Sequence, residues 1–299
     1  MQLPRNPVTR RWMALSPAMV VIGIFMIIPM GILLVFSFME ADPYGGVDAG
    51  FTFEAYVQIL FERDFDDLLQ FDPIYLHIIG RSILLAGLAT IGCLFLGLPV
   101  AYYITRQNAR TQSLLLFLIT LPFWTNLLVR TYAWILILAT DGVIEQPLKF
   151  LGVIDESLNM MYTNGAVGVG LIYTYIPLMV LPIYASLEKL DFRLIEAAHD
   201  LYANRIAVVR EVIIPLAKPG IVAGSILVLI PSLGAFVAPN LLGGGKKLMM
   251  GSLIQVQFAS ARNWPFGSAL SICLLALVMI ALLYQARVSG KRREEAGER

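Results

Sequence analysis

The sequence predicts an all-α integral membrane protein with six transmembrane helices. Hydrophobic residues make up 58% of the 299 residues, charged residues make up 14%, and the mean hydropathy is +0.74. Soluble domains carry roughly 45 to 50% apolar and about 25% charged residues. The formal net charge of +1 disfavours nucleic acid as a partner, because domains that bind it are usually strongly basic.

Six apolar segments are long enough to cross a membrane. A hydrocarbon core of about 30 Å requires about 20 helical residues, with a usual range of roughly 17 to 25. Prolines within these segments are compatible with spans, because packed neighbours satisfy the freed backbone groups. We expect a single transmembrane domain over 1–299, with spans at 13–39, 82–104, 113–132, 166–187, 220–238 and 267–286.

The first apolar segment is predicted to be an uncleaved span. It follows three arginines, as the apolar region of a signal peptide also follows basic residues. However, 13–39 is much longer than the roughly 7 to 15 residues of such a region, and no small-residue cleavage pattern comes after it.

The basic residues predict the orientation. With a cytoplasmic N-terminus, the cytoplasmic segments are 1–12, 105–112, 188–219 and 287–299, and they hold 15 of the 22 Lys and Arg residues. The positive-inside rule therefore places both termini in the cytoplasm. Thirteen Asp and Glu residues then lie in the outer loops against six basic residues. Such loops attract a cationic solute or a basic docking face, although outer loops are also acidic simply because they are polar.

The long segment 188–219 predicts two short amphipathic helices joined by a bend. Asp191 is a candidate N-cap, and Leu194, Ala198 and Leu201 form one apolar stripe. Glu196 and Asp200 lie on another face. Asn204 offers a second cap, and Pro215 and Pro219 are expected to break the helix before the next span.

Two parts of this segment resemble a known motif. Glu196-Ala197-Ala198 is followed by Val212-Ile213-Ile214-Pro215 and then by Pro219-Gly220. This resembles the EAA loop of ABC importer permeases, which lies between spans four and five and reads EAA, three residues, Gly, nine residues, then I-x-L-P. The stretches 122–134 and 231–244 are similar to the permease subunits of spermidine/putrescine importers.

The resemblance implies the type I ABC importer permease fold and a bacterial inner-membrane location. It implies that part of the 188–219 loop couples to a cytoplasmic ATPase, through Glu196, Ala197, Ala198, Asp200, Leu201 and Tyr202. The implied partners are a second permease subunit, two ATP-binding subunits and a solute-binding protein on the outer side. This chain would not be an enzyme and would bind no cofactor, because ATP and Mg²⁺ would belong to the ATPase.

Aromatic residues are candidates for the solute path. An ammonium group over an aromatic face gains roughly 0.5 to 2 kcal/mol, which suits a polyamine, while interfacial belts and bundle packing use the same residues. The candidates are Phe123, Trp124, Tyr132, Trp134, Tyr173, Tyr175 and Phe236.

Two positions depart from the family pattern. Tyr202 stands where the family usually has Gly, so the bend is not expected to use a positive φ there, and Asn204 would supply the turn or the two helices would dock differently. Ala235 stands where many polyamine permeases carry an acidic residue, which weakens the polyamine assignment. Another organic cation, an opine, an aminophosphonate and ferric iron stay open as solutes.

Arg130 is predicted to lie near the outer membrane boundary. Counted from Ser113 at 1.5 Å per residue, it lies about 25 Å across the bilayer. An interfacial or interdomain anchor is therefore favoured over a buried ion site.

Other classes of function are disfavoured. Cys93 and Cys273 lie in apolar segments, and His77 and His199 are far apart, so no disulfide framework or zinc site is predicted. The run at 243–247 lacks the spacing of a phosphate loop. The predicted spans contain no Asp, Glu or His for a proton relay and no catalytic group set for a membrane enzyme. A purely structural scaffold is compatible with the composition but not with the loop motif.

Overall fold

The computed structural model describes residues 7–63, 68–191 and 193–297, and these are mostly helical. The helices are α1 (Pro7–Phe36), α2 (Glu54–Val57), α3 (Ile74–Thr105), α4 (Ala109–Trp124), α5 (Leu127–Leu138), α6 (Glu145–Phe150), α7 (Asn164–Leu187), α8 (Arg193–Asp200), α9 (Arg205–Val208), α10 (Ile214–Leu233), α11 (Val237–Leu242), α12 (Met250–Ala259) and α13 (Trp264–Gly297). A π-helical turn, Val209–Ile213, joins α9 to α10.

Two small antiparallel sheets depart from the purely helical prediction. They are formed by β1 (Met39–Ala41) with β2 (Val47–Phe51), and by β3 (Phe61–Arg63) with β4 (Leu69–Phe71). Hairpins of three to five residues carry no long hydrophobic period, so they were not visible beside the apolar spans.

Among the described residues, five helical segments are long and apolar enough to cross a membrane, and the number is six if one bent helix pair counts as a single span. The helical prediction is therefore confirmed in its coarse form, while the predicted count of six straight spans is not. The segment predicted as the third span, 113–132, falls on α4 and α5, which meet at an angle of 93°. The predicted fifth span, 220–238, is also wrong at its end, because α10 stops at Leu233 and α11 follows separately.

The bend between α4 and α5 is built from side-chain caps. The Thr125 hydroxyl donates to the Pro122 carbonyl at 2.7 Å, and this closes the end of α4. The Asn126 side chain accepts from the Leu128 N–H at 2.8 Å, and this starts α5. Because both helix ends are satisfied locally, the chain turns sharply without leaving buried backbone groups unpaired.

The described contacts divide the chain into two units, so the predicted single domain stays a prediction. The first unit comprises the described parts of Met1–Tyr75 together with Ile254–Ile280, and the second comprises Leu76–Leu253 and the described part of Ala281–Arg299.

The first unit contains an aromatic cluster next to the end of α1. The Phe38 ring lies 5.7 Å from that of Phe51, 5.4 Å from that of Phe53 and 5.2 Å from that of Tyr56. The Tyr56 hydroxyl donates to Ser37 Oγ at 2.8 Å. These contacts hold the β1–β2 hairpin and the residues that follow α1 against α2.

The second unit is organised around α7 and α10, which form its most extensive helix pair. A buried face of α10 is made of small residues, including Ala217, Gly220 and Gly224. A Cβ atom at Gly224 would lie 2.8 Å from the sulfur of Met179 and 3.2 Å from its Cα. The two helices therefore approach each other at backbone distance, which small residues at i and i+4 permit.

Candidate functional site

The loop containing the predicted coupling residues is anchored by α8. The Asp191 carboxylate accepts from the Arg193 N–H at 3.0 Å, which confirms a capping role for this residue at the helix start. Ile195 and Ala198 pack against a buried core that includes Val208.

The predicted apolar stripe on this segment is wrong. Of its three members only Ala198 packs, while Leu194 and Leu201 are exposed. The physical reason is that α8 ends at Asp200, so Leu201 belongs to the following turn, and the i, i+3 pair Ile195 and Ala198 forms the partly buried face that packs against the core.

The bend after α8 has the hydrogen bonds of a Schellman motif. The Ala203 N–H donates to the Ala198 carbonyl at 3.0 Å, and the Tyr202 N–H donates to the His199 carbonyl at 2.9 Å. Tyr202 has φ +58°. The expectation that the bend avoids a positive φ here is therefore wrong, because Tyr202 adopts the left-handed conformation that Gly has in the family pattern.

The predicted second cap is confirmed. Asn204 accepts from the Ala207 N–H at 2.8 Å and starts α9. Asn204 thus begins the second helix, while the turn before it is made by Tyr202.

We expect Tyr202→Gly to stabilise the chain by about 1 kcal/mol, since a left-handed L-residue costs roughly this much and glycine has no Cβ. The Tyr202 side chain is 98% exposed, so little packing is lost. Thermal unfolding of the purified protein checks this, with Tyr202→Ala as the control because alanine keeps the Cβ. Equal melting temperatures for the Gly and Ala variants would show that the backbone at 202 is not strained.

The helix continues from α9 through the π turn into α10, so the predicted break at Pro215 and Pro219 does not occur. Within the turn, the Ile214 N–H donates to the Val209 carbonyl, five residues earlier. A proline ring clashes with the carbonyl four residues before it in an α-helix. The wider turn before Pro215 relieves that clash, and the loop is thus connected to α10 by unbroken helix.

The predicted coupling residues form a largely exposed surface, which we call the loop surface: Glu196, Ala197, Asp200, Leu201 and Tyr202. Ala198, the sixth predicted residue, is packed beneath it. Leu201 is 81% exposed. An exposed surface with two carboxylates and two large apolar side chains, on a rigid helix tied to α7 and α10, suits the docking of another protein.

The candidate path residues fall into two groups. Phe123, Trp124, Tyr132 and Phe236 are exposed, and Trp124 is the most exposed of them at 84%. Trp134 and Tyr173 pack edge to face with ring centroids 5.4 Å apart. Tyr175 donates its hydroxyl to the Pro231 carbonyl at 3.2 Å, in the last turn of α10. The structure brings Trp134 and Tyr173 together but does not gather all seven rings around one cavity within the described residues.

The prediction that Arg130 is an interfacial or interdomain anchor stays a prediction, and the structure adds that its side chain is buried. It lies on the buried face of α5 and is only 9% exposed. The chain bends by 93° between α4 and α5, so a straight count of residues from Ser113 does not give the depth of Arg130.

A buried carboxylate organises the loop after α5. Glu145 is 1% exposed and accepts hydrogen bonds from the N–H groups of Asp141 at 2.7 Å and Leu158 at 3.0 Å. Lys149 Nζ lies 3.4 Å from it and 2.7 Å from the Asp141 carboxylate. The Asp141 N–H bond, with further help from Lys149, lowers the pKa of Glu145 against the opposing effect of burial. The hydrogen bond to Asp141 raises the pKa of Lys149.

Protonation of Glu145 is expected to loosen this loop at acidic pH. Its pKa is lower in the folded state, so its stabilising contribution is present above the ordinary value of 4.5 and is lost as the pH falls through the folded value. We expect Glu145→Gln to remove this pH dependence and to lower the melting temperature at pH 7 by roughly 5 °C. Proteolysis of the 139–163 loop across pH 3 to 7 measures the effect, and Glu156→Gln is the control. Identical pH profiles for wild type and Glu145→Gln would contradict the prediction.

The first unit contains a cavity of about 500 Å³ whose lining includes three carboxylates, those of Glu40, Glu54 and Glu62. It lies in the first predicted outer loop, where the sequence concentrates its acidic residues. Other acids of this loop have local structural roles: the side chains of Asp42 and Asp72 accept backbone N–H groups two residues later at 2.7 and 2.9 Å.

These features define the class of protein. Several apolar spans, together with an exposed helix–turn–helix loop fixed to two of them, are the architecture of a membrane transport subunit. Residues 93–294 match the family described as binding-protein-dependent transport system inner membrane component, and the chain belongs to this family. It is a multi-pass inner-membrane permease subunit of an ABC-type importer.

Two relatives are similar to this chain over about nine tenths of its length. The chain is 40% identical over 266 residues to the spermidine/putrescine transport system permease protein PotB of Escherichia coli (strain K12), covering 89% of this chain and 93% of the relative. It is 39% identical over 273 residues to PotB of Haemophilus influenzae, covering 91% and 92%. The resemblance to this subgroup is thereby confirmed.

A solved structure shares the fold. A chain of a bacterial alginate ABC transporter, crystallised with an alginate pentasaccharide-bound periplasmic protein, matches with a TM-score of 0.72 at 16% identity. The match covers 94% of this chain and 95% of that chain. It supports the permease fold across nearly the whole length.

Proposed function

We propose that this chain is half of the translocation pathway of an ATP-driven polyamine importer, with spermidine and putrescine as solutes. The observation that carries the proposal is the similarity to spermidine/putrescine permeases over about nine tenths of both chains. The acidic cavity in the first predicted outer loop and the exposed aromatic side chains supply the chemistry that attracts and passes an organic cation.

The proposed assembly contains a second permease, two ATP-binding subunits and an outer solute-binding protein. Both termini and the loop surface face the cytoplasm, as the distribution of Lys and Arg favours. ATP and Mg²⁺ bind to the partner ATPase, and this chain binds no cofactor. The first predicted outer loop, with its acidic cavity, faces the solute-binding protein.

In the proposed mechanism, the loop surface transmits closure of the ATPase to the spans. α8 is packed on the core through Ile195 and Ala198, and α9 runs without a break into α10. A force applied at Glu196 or Tyr202 therefore reaches α10, and its extensive packing carries the force on to α7. Tighter binding of the ATP state to one conformation would supply the direction of transport.

Uptake in reconstituted vesicles tests the function. The chain is purified with its co-encoded partners, and ATP-dependent accumulation of radiolabelled spermidine and putrescine is measured with an inactive ATPase as the control. We expect accumulation only with active ATPase and loaded binding protein. ATPase stimulation by a binding protein loaded with another solute, without polyamine uptake, would keep the permease role and refute the polyamine assignment.

A further inference from the structure

Arg130 is a buried charge without a counter-ion in the described part of the chain. Its Nε and Nη1 atoms are fully buried and have no hydrogen-bond partner there. The ion pairs found among the described residues do not include it. A guanidinium stays protonated under all physiological conditions, so the missing partner cannot be explained by loss of charge.

The surroundings of Arg130 do not supply the missing anion. Tyr175 lies close enough to interact electrostatically with the guanidinium, but its hydroxyl hydrogen is already donated to the Pro231 carbonyl. The structurally defined candidate spans contain a single acidic residue, Glu211. That side chain is 73% exposed and lies 3.7 Å from Arg210.

The location of Arg130 makes an external partner accessible. Arg130 lies in the first turn of α5, next to the bend that separates this helix from α4. Nε and Nη1 are shut off from the surface, whereas Nη2 is not among the buried unpaired atoms of the described residues, so it is the nitrogen left for an approaching group. An uncompensated buried charge is strongly destabilising, whereas a paired one is tolerated.

We propose that Arg130 forms an ion pair with a carboxylate of the second permease subunit. This inference rests on the proposed assembly of two permease chains. A carboxylate on the solute is less suitable, because the guanidinium is charged throughout the transport cycle while the solute is present only in part of it, and polyamines carry no carboxylate. A second copy of this chain also brings no acidic residue in its spans except Glu211, so a different, acid-bearing permease is the expected partner.

Pairing of the two permeases provides the test. This chain carries an affinity tag, is co-expressed with the co-encoded second permease, and the molar ratio of the two chains after purification is measured. We expect Arg130→Gln to lower the recovery of the second chain by about tenfold or more, because a buried carboxylate is left unpaired. Arg130→Lys should retain recovery within roughly threefold, since the charge is kept and the single Lys nitrogen can replace the one contact that Nη2 makes. Arg110→Gln, the same change at an exposed arginine of α4, should have no effect.

A second set of variants separates ion pairing from misfolding. In the Arg130→Gln background, each Asp and Glu in the spans of the second permease is changed to Asn or Gln. One of these changes should restore recovery, because removing both charges is far less costly than removing one. Normal pairing of Arg130→Gln, or a defect that no change in the second chain reverses, would overturn the inference. Normal pairing with loss of uptake would place the carboxylate on the solute and also overturn it.

Measurements on the same preparations show whether a failed result concerns the ion pair or the proposed function. If the wild-type vesicles fail to accumulate polyamine while the pairing results hold, the solute assignment is wrong and the ion pair stands. If this chain never recovers a second permease, the proposed assembly itself is wrong.

Discussion

Gly220→Ala is expected to lower the free energy of unfolding by about 3 kcal/mol, the upper end of the usual range for overpacked interiors. The added Cβ would overlap the Pro182 carbonyl oxygen, and it would lie 2.6 Å from Ser186 Oγ and 2.8 Å from the Ile183 Cα. Backbone atoms cannot rotate away as a flexible side chain can. The α7–α10 pair would therefore have to separate along its length, and this pair holds the second unit together.

Gly168→Ala provides the matched control for this substitution. Gly168 lies on α7, and a Cβ atom there would meet nothing within 4 Å. Alanine should be neutral or stabilising at this site by up to about 1 kcal/mol, because it is the better helix former. Thermal unfolding in detergent and the yield of monodisperse protein measure both variants. Equal behaviour of the two would show that α7 and α10 do not approach at backbone distance around Gly220.

The approximate places of the spans could be predicted, while their exact number and their shapes could not. Apolar length alone finds a span, and it is sufficient for 166–187, which differs from α7 by only two residues at its start. Apolar length does not show where a span bends or which face packs, because every position in a span is apolar. The bend at Thr125 depends on two side-chain caps, and the close approach at Gly220 depends on another helix. The spacing of Gly220 and Gly224 was the one local signal for that contact.

The loop was predictable where local rules decide it. Asp191 and Asn204 cap helices as their residue types suggest. The buried face of α8 was mispredicted because it depends on where the helix ends. Tyr202 was mispredicted for a different reason: its left-handed backbone is enforced by the Schellman hydrogen bonds and by Ala203 packing into the core. Tertiary contacts thus overrode the local preference of tyrosine.

Arg130 and Glu145 show the limit of reading charges from sequence. Arg130 was predicted to be an interfacial or interdomain anchor, and Glu145 was counted only among the acidic residues of the outer loops, whereas both side chains are buried in the fold. Glu145 is compensated by N–H groups that the folded loop brings to it from residues four and thirteen positions away. Sequence order does not contain these contacts, since they arise only when the loop closes.

At Glu196, an effect on coupling can be measured separately from an effect on folding. Its carboxylate is exposed, and no hydrogen bond or ion pair joins its side chain to the described residues. It lies in the first turn of α8, where a negative charge is favourable by only a few tenths of a kcal/mol. Loss of this side chain should therefore leave the chain folded and inserted.

Glu196→Lys is expected to reduce ATP-dependent uptake by roughly tenfold or more, a typical size for a coupling free energy between sites. The reversed charge meets the ATPase surface directly, while the buried face of α8 at Ile195 and Ala198 is untouched. Uptake, solute-stimulated ATPase activity and recovery of the ATPase with the tagged chain are measured together. Glu211→Lys is the control, because it makes the same change at an exposed carboxylate outside the loop surface. Normal uptake and normal ATPase recovery in Glu196→Lys would refute the coupling role, whereas a lowered amount of folded chain would assign the defect to stability.

Glu196→Gln separates the effect of charge from that of shape, since it keeps the shape of the side chain and removes only its charge. A loss of uptake comparable to that of the Lys variant would mean that an ion pair with the ATPase carries the coupling.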